Sequence, residues 1–232
     1  MVDNQNKCVV VLSGGMDSAL CMAIAKADGY KLSALHLNYG QLTEKREEKA
    51  FLDICEFYGV EEKIIVDTSF FKQIGGSGLT DNKIGIEEAN LENETIPSTY
   101  VPFRNGNILA IAASWAEVIG ATTIFIGAVQ QDSSGYPDCR KEFFDEFEKA
   151  INTGTKPETN IKILTPIINF SKGDIVRRSN ELCSPLHLTW SCYRNSDTAC
   201  GTCDSCALRL RGFQQEGLVD PIPYLVRPEY AK

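Results

Sequence analysis

No apolar run in this chain of 232 residues approaches the roughly 20 needed to span a bilayer. Its opening, Met1-Val2-Asp3-Asn4-Gln5-Asn6-Lys7, lacks the apolar core of a signal peptide, so the expected location is the cytoplasm and no membrane partner is expected. Histidine is scarce as well: only His36 and His187 occur, which leaves a histidine-based triad or a histidine-ligated zinc hydrolase poorly supported, and both read as structural. Basic residues are outnumbered, 23 Lys and Arg against 31 Asp and Glu, for a net charge of -8. Sequence-independent binding to nucleic acid relies on clustered cations that release counterions, so this balance argues against a nucleic-acid partner. Cysteine is plentiful, nine in all. An odd count without a secretory signal favours reduced thiols and metal over a disulfide framework. The length suits one domain with a small appendage, able to bury about 70% of the surface of its unfolded chain.

The densest information lies in Val9-Val10-Val11-Leu12-Ser13-Gly14-Gly15-Met16-Asp17-Ser18-Ala19-Leu20, an apolar β-branched run that empties into a glycine turn and a helix start. Glycine lets the backbone take positive φ and approach a phosphate, while the unpaired amides of the helix N-terminus point at anionic oxygens. Ser13 and Ser18 add hydroxyls, and Asp17 is placed to help hold magnesium or to cap the helix. The segment is neither a Walker A loop nor a dinucleotide Gly-x-Gly-x-x-Gly. Its Ser-Gly-Gly-x-Asp-Ser string resembles that of the PP-loop ATP pyrophosphatases, which cleave ATP between its α and β phosphates. The stretch 12–20 is therefore the candidate nucleotide site.

Apolar strand-like runs stand at 8–12, 32–37, 63–66, 122–126 and 161–164. Segments with apolar residues at three- and four-residue steps stand at 18–26, 44–58, 107–119, 141–152 and 172–182. Strict alternation predicts βαβ crossovers, hence an α/β fold with a doubly wound, Rossmann-like parallel sheet. In such sheets ligands sit beyond the carboxyl ends of the strands, so the loops after Leu12, Leu37, Ile126 and Leu164 are expected to share one crevice. The division expected is an ATP-binding α/β domain over 1–186 and a C-terminal metal-binding region over 187–232 packed on it. The interruption at 68–99 reads as a lid or a variable insertion.

Cys192, Cys200, Cys203 and Cys206 fall within fifteen consecutive residues. Two successive Cys-x-x-Cys steps, eased by Gly201, present three thiolates from one tight loop and Cys192 closes a tetrahedral set, the pattern of structural zinc. An iron-sulfur cluster is the chemical rival, though the ferredoxin spacing is not matched. Cys8, Cys21, Cys55 and Cys183 read as small core residues, whereas Cys139 lies in a loop rich in polar groups, where a neighbouring cation could lower its pKa. That loop, 127–140, concentrates Asp132, Tyr136, Asp138 and Arg140: a carboxylate can accept two bonds from a guanine-like edge and a tyrosine can stack on the ring. The bland alternative is a Gly-Pro turn with solvated acids. Arg104 stands just before a helix and suits a phosphate or carboxylate. Lys172 opens the last long helix, where a cation opposes the dipole unless an anion is bound nearby.

Together, the 12–18 loop, Asn38-Tyr39-Gly40-Gln41, Val101-Pro102-Phe103-Arg104-Asn105, Ser134-Gly135-Tyr136-Pro137-Asp138-Cys139-Arg140 and the four-cysteine tail resemble the QueC family of queuosine and archaeosine precursor synthesis, from about Cys8 to Arg211. One departure is Phe103, where many members carry a small residue between Pro and Arg. The resemblance implies an adenine nucleotide alpha hydrolase type of sheet and an ATP-dependent ligase with ATP, magnesium and one structural zinc. Its substrates would be 7-carboxy-7-deazaguanine and ammonia, joined and dehydrated to the nitrile through two adenylations. The roles implied are pyrophosphate binding by Ser13 to Ser18, Asp17 toward magnesium, Lys172 and Arg104 on anionic groups, and Asp132, Tyr136, Asp138 and Arg140 around the base. A paralogue that couples the acid to another amine, including a protein N-terminus, and a tRNA-modifying PP-loop enzyme are the alternatives. A homodimer is left open.

Overall fold

The computed structural model describes residues 6–81, 83–92, 95–130 and 135–231. Its first strand, β1 (Lys7–Val11), is buried at every position after Lys7. A strand that is apolar on both faces belongs in the middle of a parallel sheet covered by helices on each side. It lies there: β1 pairs in parallel with β2 (Lys31–Asn38) and β4 (Thr123–Ile126), and the flanking β3 (Glu62–Asp67) and β5 (Lys162–Leu164) complete the order β3-β2-β1-β4-β5. Each strand lies within one residue of its expected position at either end.

The side chains of β1 alternate between two cores, as the pleat requires. Cys8 and Val10, with Leu12 beyond them, join the layer formed by α1 (Met16–Ala27), α2 (Glu44–Tyr58) and α6 (Lys172–Glu181). Val9 and Val11 join the opposite layer, built by α4 (Arg104–Ile119) and α5 (Lys141–Gly154). A fully buried aliphatic side chain contributes about 1.5–3 kcal/mol. The helices are therefore held mainly by these faces and not by their intrinsic propensity. Among the described residues no helix is long and apolar enough to cross a membrane.

Two helices lie outside the sequence expectation. The short α3 (Phe70–Ile74) interrupts the 68–99 connection and anchors it through Phe71, which is buried beside Leu79 and Val101. The rest of that connection leans on the cysteine region: Arg194 donates to the carbonyls of Ile86 (2.7 Å) and Glu87 (2.8 Å), and Ala89 N–H donates to Thr202 (2.8 Å). The second helix, α7 (Asp204–Gln215), starts inside the cysteine run. Its buried face carries Cys206, Arg209 and Gly212 beside Ala207, Leu210 and Phe213, so the usual apolar period is broken by an arginine and a glycine. Arg209 is 1% exposed and forms a two-pronged pair with Asp220 at 2.7 and 2.9 Å. Buried charge of this kind requires full pairing.

Cys8, Cys21 and Cys55 are buried, as expected, but Cys183 is exposed. It follows α6 with φ 52, and this left-handed turn swings its side chain off the core face that the helix presents.

Candidate active site

The sheet winds outward from β1 in one direction and returns to pair β4 on its other side, which makes the β1/β4 boundary the switch point where α/β sheets bind ligands. A cavity of about 270 Å³ opens there, beyond the carboxyl ends of the strands. Its wall includes Ser13, Tyr39, Gly127 and Lys172, so the loops or segments after β1, β2, β4 and β5 do share one crevice.

In the loop after β1, Gly14 has φ +88, and a Cβ there would stand 2.7 Å from the Glu47 carbonyl oxygen. Both the backbone conformation and the close approach of α2 therefore demand glycine. Ser18 Oγ donates to the Gly15 carbonyl (3.0 Å), lies 3.1 Å from Ser13 Oγ and accepts from Ser13 N–H (3.2 Å). No side chain caps α1 at Gly15. Its first-turn amides are left for an anion from the cavity. Trp190 N–H donates to the Gly14 carbonyl (2.8 Å), and Arg46 lies 4.5 Å over the Trp190 ring, so the C-terminal region braces the loop from behind. Gly127 permits β4 to end against α1, since a Cβ there would meet Asp17 and Ser18 backbone at 2.9 Å.

Lys172 and Asp17, which are 155 positions apart in the chain, meet here: Nζ stands 2.6 Å from Oδ2. The other oxygen, Oδ1, is buried and has no partner among the described residues. Buried carboxylate oxygens are normally satisfied, so this one is suited to a cation. Lys172 is placed by its helix: Ser171 Oγ accepts from Asp174 N–H (3.1 Å) while Asp174 Oδ2 accepts from Ser171 N–H (3.0 Å), a reciprocal cap that offsets the cation at the dipole's positive end.

The α7 helix holds the same residue through Gly212, where a Cβ would stand 2.7 Å from the Lys172 carbonyl oxygen. Gly212→Ala must displace α6 backbone at the site itself. The expected result is a loss of about 1–3 kcal/mol in stability from overpacking. We also expect a fall in kcat of about 10-fold, since misplacement by an ångström can cost 100-fold. Denaturant melts and a turnover assay measure the two. Gly154→Ala, in open space, is the control and changes neither.

The far wall is aromatic. Arg104 Nη1 donates to the Tyr39 hydroxyl (3.1 Å), with its guanidinium 5.1 Å from that ring, and Tyr136 and Tyr193 line the same chamber. Tyr136 OH lies 3.0 Å from Thr99 Oγ1. Of the other residues singled out in this loop, Asp132 lies outside the described residues, and Asp138 and Arg140 do not line the cavity. Asp138 Oδ2 instead accepts from Asn105 N–H (2.9 Å), and burial pushes its carboxyl up. It secures the first turn of α4 and, through it, Arg104. Phe103 precedes that turn with φ 54, its ring folded over Gly106 and packed on Phe143 and Phe147. This aromatic packing offsets a left-handed backbone that favours small residues. Burial pushes the Cys139 thiol up to about 11, outweighing Arg104, so it stays protonated.

Two cavity-lining carboxylates were not legible in the sequence. Asp204 is the first residue of α7, directly after Cys203. Glu47 sits within α2, where periodicity assigns it only to a polar face. Its Oε1 accepts from Thr43 Oγ1 (2.7 Å) and its Oε2 from Gln41 Nε2 (3.1 Å). Burial pushes its carboxyl up against the lowering effect of these bonds and of Arg104.

Sγ atoms of Cys192, Cys200, Cys203 and Cys206 lie within 4.8 Å of one another, all buried and none in a disulfide. Backbone N–H groups of Arg194, Asn195 and Cys200 donate to the Cys192 sulfur, and those of Thr202 and Cys203 to the Cys200 sulfur. Amide donors around converging sulfurs stabilise thiolates, and the cluster can hold a metal ion with no position left open for substrate.

The chain is 56% identical over 224 residues to a 7-cyano-7-deazaguanine synthase of Chlorobium phaeobacteroides, covering 97% of this chain and 99% of that protein. It is 55% identical to the protein of the same name from Nautilia profundicola, covering 94% and 98%. Among solved structures it is similar to the predicted subunit of tRNA methyltransferase from Methanocaldococcus jannaschii (16% identity, 75% and 74% coverage, TM-score 0.49), a likeness too loose to bear on function. The family model described as Queuosine biosynthesis protein QueC matches residues 7–217, and the chain belongs to that family.

Proposed function

We propose that the protein is an ATP-dependent carbon-nitrogen ligase that converts 7-carboxy-7-deazaguanine and ammonia to 7-cyano-7-deazaguanine, in the supply of queuosine precursor. The observation that carries this reading is a single cavity joining the open amides of α1 to a chamber with a guanidinium and three tyrosines. An acyl adenylate needs both ends: a seat for the departing pyrophosphate and a place for the acid beside the α-phosphate. Relatives of full length and more than half identical are named for the nitrile-forming reaction, which does not favour a paralogue with another amine.

In this mechanism Ser13, Ser18 and the first amides of α1 hold the β and γ phosphates of ATP. Lys172 lies against them, its charge held in place by Asp17 Oδ2. The unpartnered Asp17 Oδ1 would hold magnesium, which when bound neutralises charge gathering on pyrophosphate. Arg104 orients the acid's carboxylate toward the α-phosphorus, and Tyr136, Tyr39 and Tyr193 enclose the heterocycle. The carboxylate attacks, pyrophosphate leaves, and ammonia displaces AMP to give the amide. A second adenylation, on the amide oxygen, then allows loss of AMP and closure to the nitrile. Four thiolates without an open position are the donor set of structural zinc, which ties the tail to α7.

Purified protein incubated with ATP, magnesium, ammonium and the acid is expected to release AMP and pyrophosphate and to yield the nitrile by mass spectrometry. ADP in place of AMP would overturn the adenylation step. An amide that never dehydrates would overturn the nitrile product.

A further inference from the structure

Two opposite charges face this cavity without neutralising each other. Among the described residues neither Arg104 nor Glu47 has an ion-pair partner within 4.0 Å, although both line the chamber. Unpaired charges in a low-dielectric pocket are costly unless a ligand completes them. Arg104 is met by the acid of the proposed reaction. Glu47 then remains as a carboxyl group with no cation within ion-pair distance among the described residues, Arg104 acting on it only from farther off.

Its surroundings keep it directed. Each oxygen accepts one bond from a neutral donor, Thr43 on one and Gln41 on the other, and the Gln41 amide is itself fixed because its Oε1 accepts from Tyr39 N–H (2.9 Å). Each oxygen keeps acceptor capacity for a further donor. The main chain of Glu47 is equally constrained, since its carbonyl is the atom that Gly14 packs against. One residue thus touches the nucleotide loop with its backbone and the chamber with its side chain.

The geometry points to Glu47 as the residue that receives the amine substrate as ammonium and removes its proton. The inference rests on the ligase reading above. One N–H proton passes to the Glu47 carboxylate, and the freed nitrogen lone pair forms the C–N bond at the acyl carbon. The C–O bond to AMP then breaks, its electron pair leaving on the phosphate, and a second proton leaves the nitrogen for solvent. One ammonium and one acyl adenylate become one amide, one AMP and two protons. Arg104 and Glu47 together would hold an anion and a cation on neighbouring parts of one wall, the charge pattern of the two reactants.

The test separates amine use from adenylation. ATP–pyrophosphate exchange that depends on the acid reports the first half-reaction and needs no ammonia. In Glu47→Gln this exchange is expected to stay within about 3-fold of the unaltered protein. Its kcat/KM for ammonium is expected to fall about 100-fold, the range of a positioned general base. Hydroxylamine, already neutral at assay pH, needs no such base, so hydroxamate formation is expected to be nearly unchanged. Glu47→Asp, which keeps the charge, is expected to recover part of the ammonium reaction. An unchanged dependence on ammonium, an equal loss with hydroxylamine, or loss of exchange and folding in both variants would make Glu47 a brace for 39–43 and overturn the assignment. Absence of exchange in the unaltered protein would instead sink the ligase reading.

Discussion

Asp17→Asn lowers acid-dependent ATP–pyrophosphate exchange by about 100- to 1,000-fold, the usual cost of losing one preorganised electrostatic contact at a developing charge. The substitution is nearly isosteric, so the loss comes from two electrostatic roles. Lys172 Nζ, at 2.6 Å, loses its anionic partner. The unpartnered Oδ1 loses the charge that would draw a divalent ion. Raising magnesium in the assay is expected to restore part of the rate, because the weakened term is binding of that ion. The melting temperature is expected to move by only a few degrees, since about 1 kcal/mol shifts Tm by about 2–4 °C in a chain of this size. Exchange that is unaltered in the variant would remove the loop from the reaction.

The second large effect is on the fold. Cys203→Ser, at a fully buried thiol directly before α7, is expected to abolish stoichiometric metal binding as measured by plasma mass spectrometry. Structural zinc sites contribute on the order of 10 kcal/mol. If only about a third of that survives against metal binding to the unfolded chain, Tm falls by about 10 °C. Nucleotide binding falls with it. The cysteine cluster starts α7, α7 seats Lys172 through Gly212, and Arg209 donates to Thr189 Oγ1 (2.6 Å), one residue before the Trp190 amide that holds Gly14. Chelated protein that keeps its melting temperature and its nucleotide affinity would overturn the metal's structural role.

The strands and their helices were legible because each is specified by its own residues. The Val9-Val10-Val11 run can only be a doubly covered strand, and α2 shows its buried Phe51, Ile54 and Cys55 at helical steps. The glycine loop and the four cysteines were legible for a similar reason: the chemistry they serve needs consecutive or closely spaced groups. Tyr136 reaches the cavity as expected, yet Asp138 does not, because a loop residue's direction depends on which helix start it finds, here that of Asn105. The α7 helix was hidden because Arg209 and Gly212 occupy its buried face.

Local covalent and steric rules, acting over a few residues, determined from the sequence alone the parallel sheet, the glycine loop and the cysteine set. Only the tertiary structure decided that Asp17 meets Lys172, that α7 carries that lysine, and that Glu47 and Arg104 face one chamber. Those pairings join residues tens to more than a hundred positions apart. Their energy appears only when burial removes water from charges whose partners no local spacing can name.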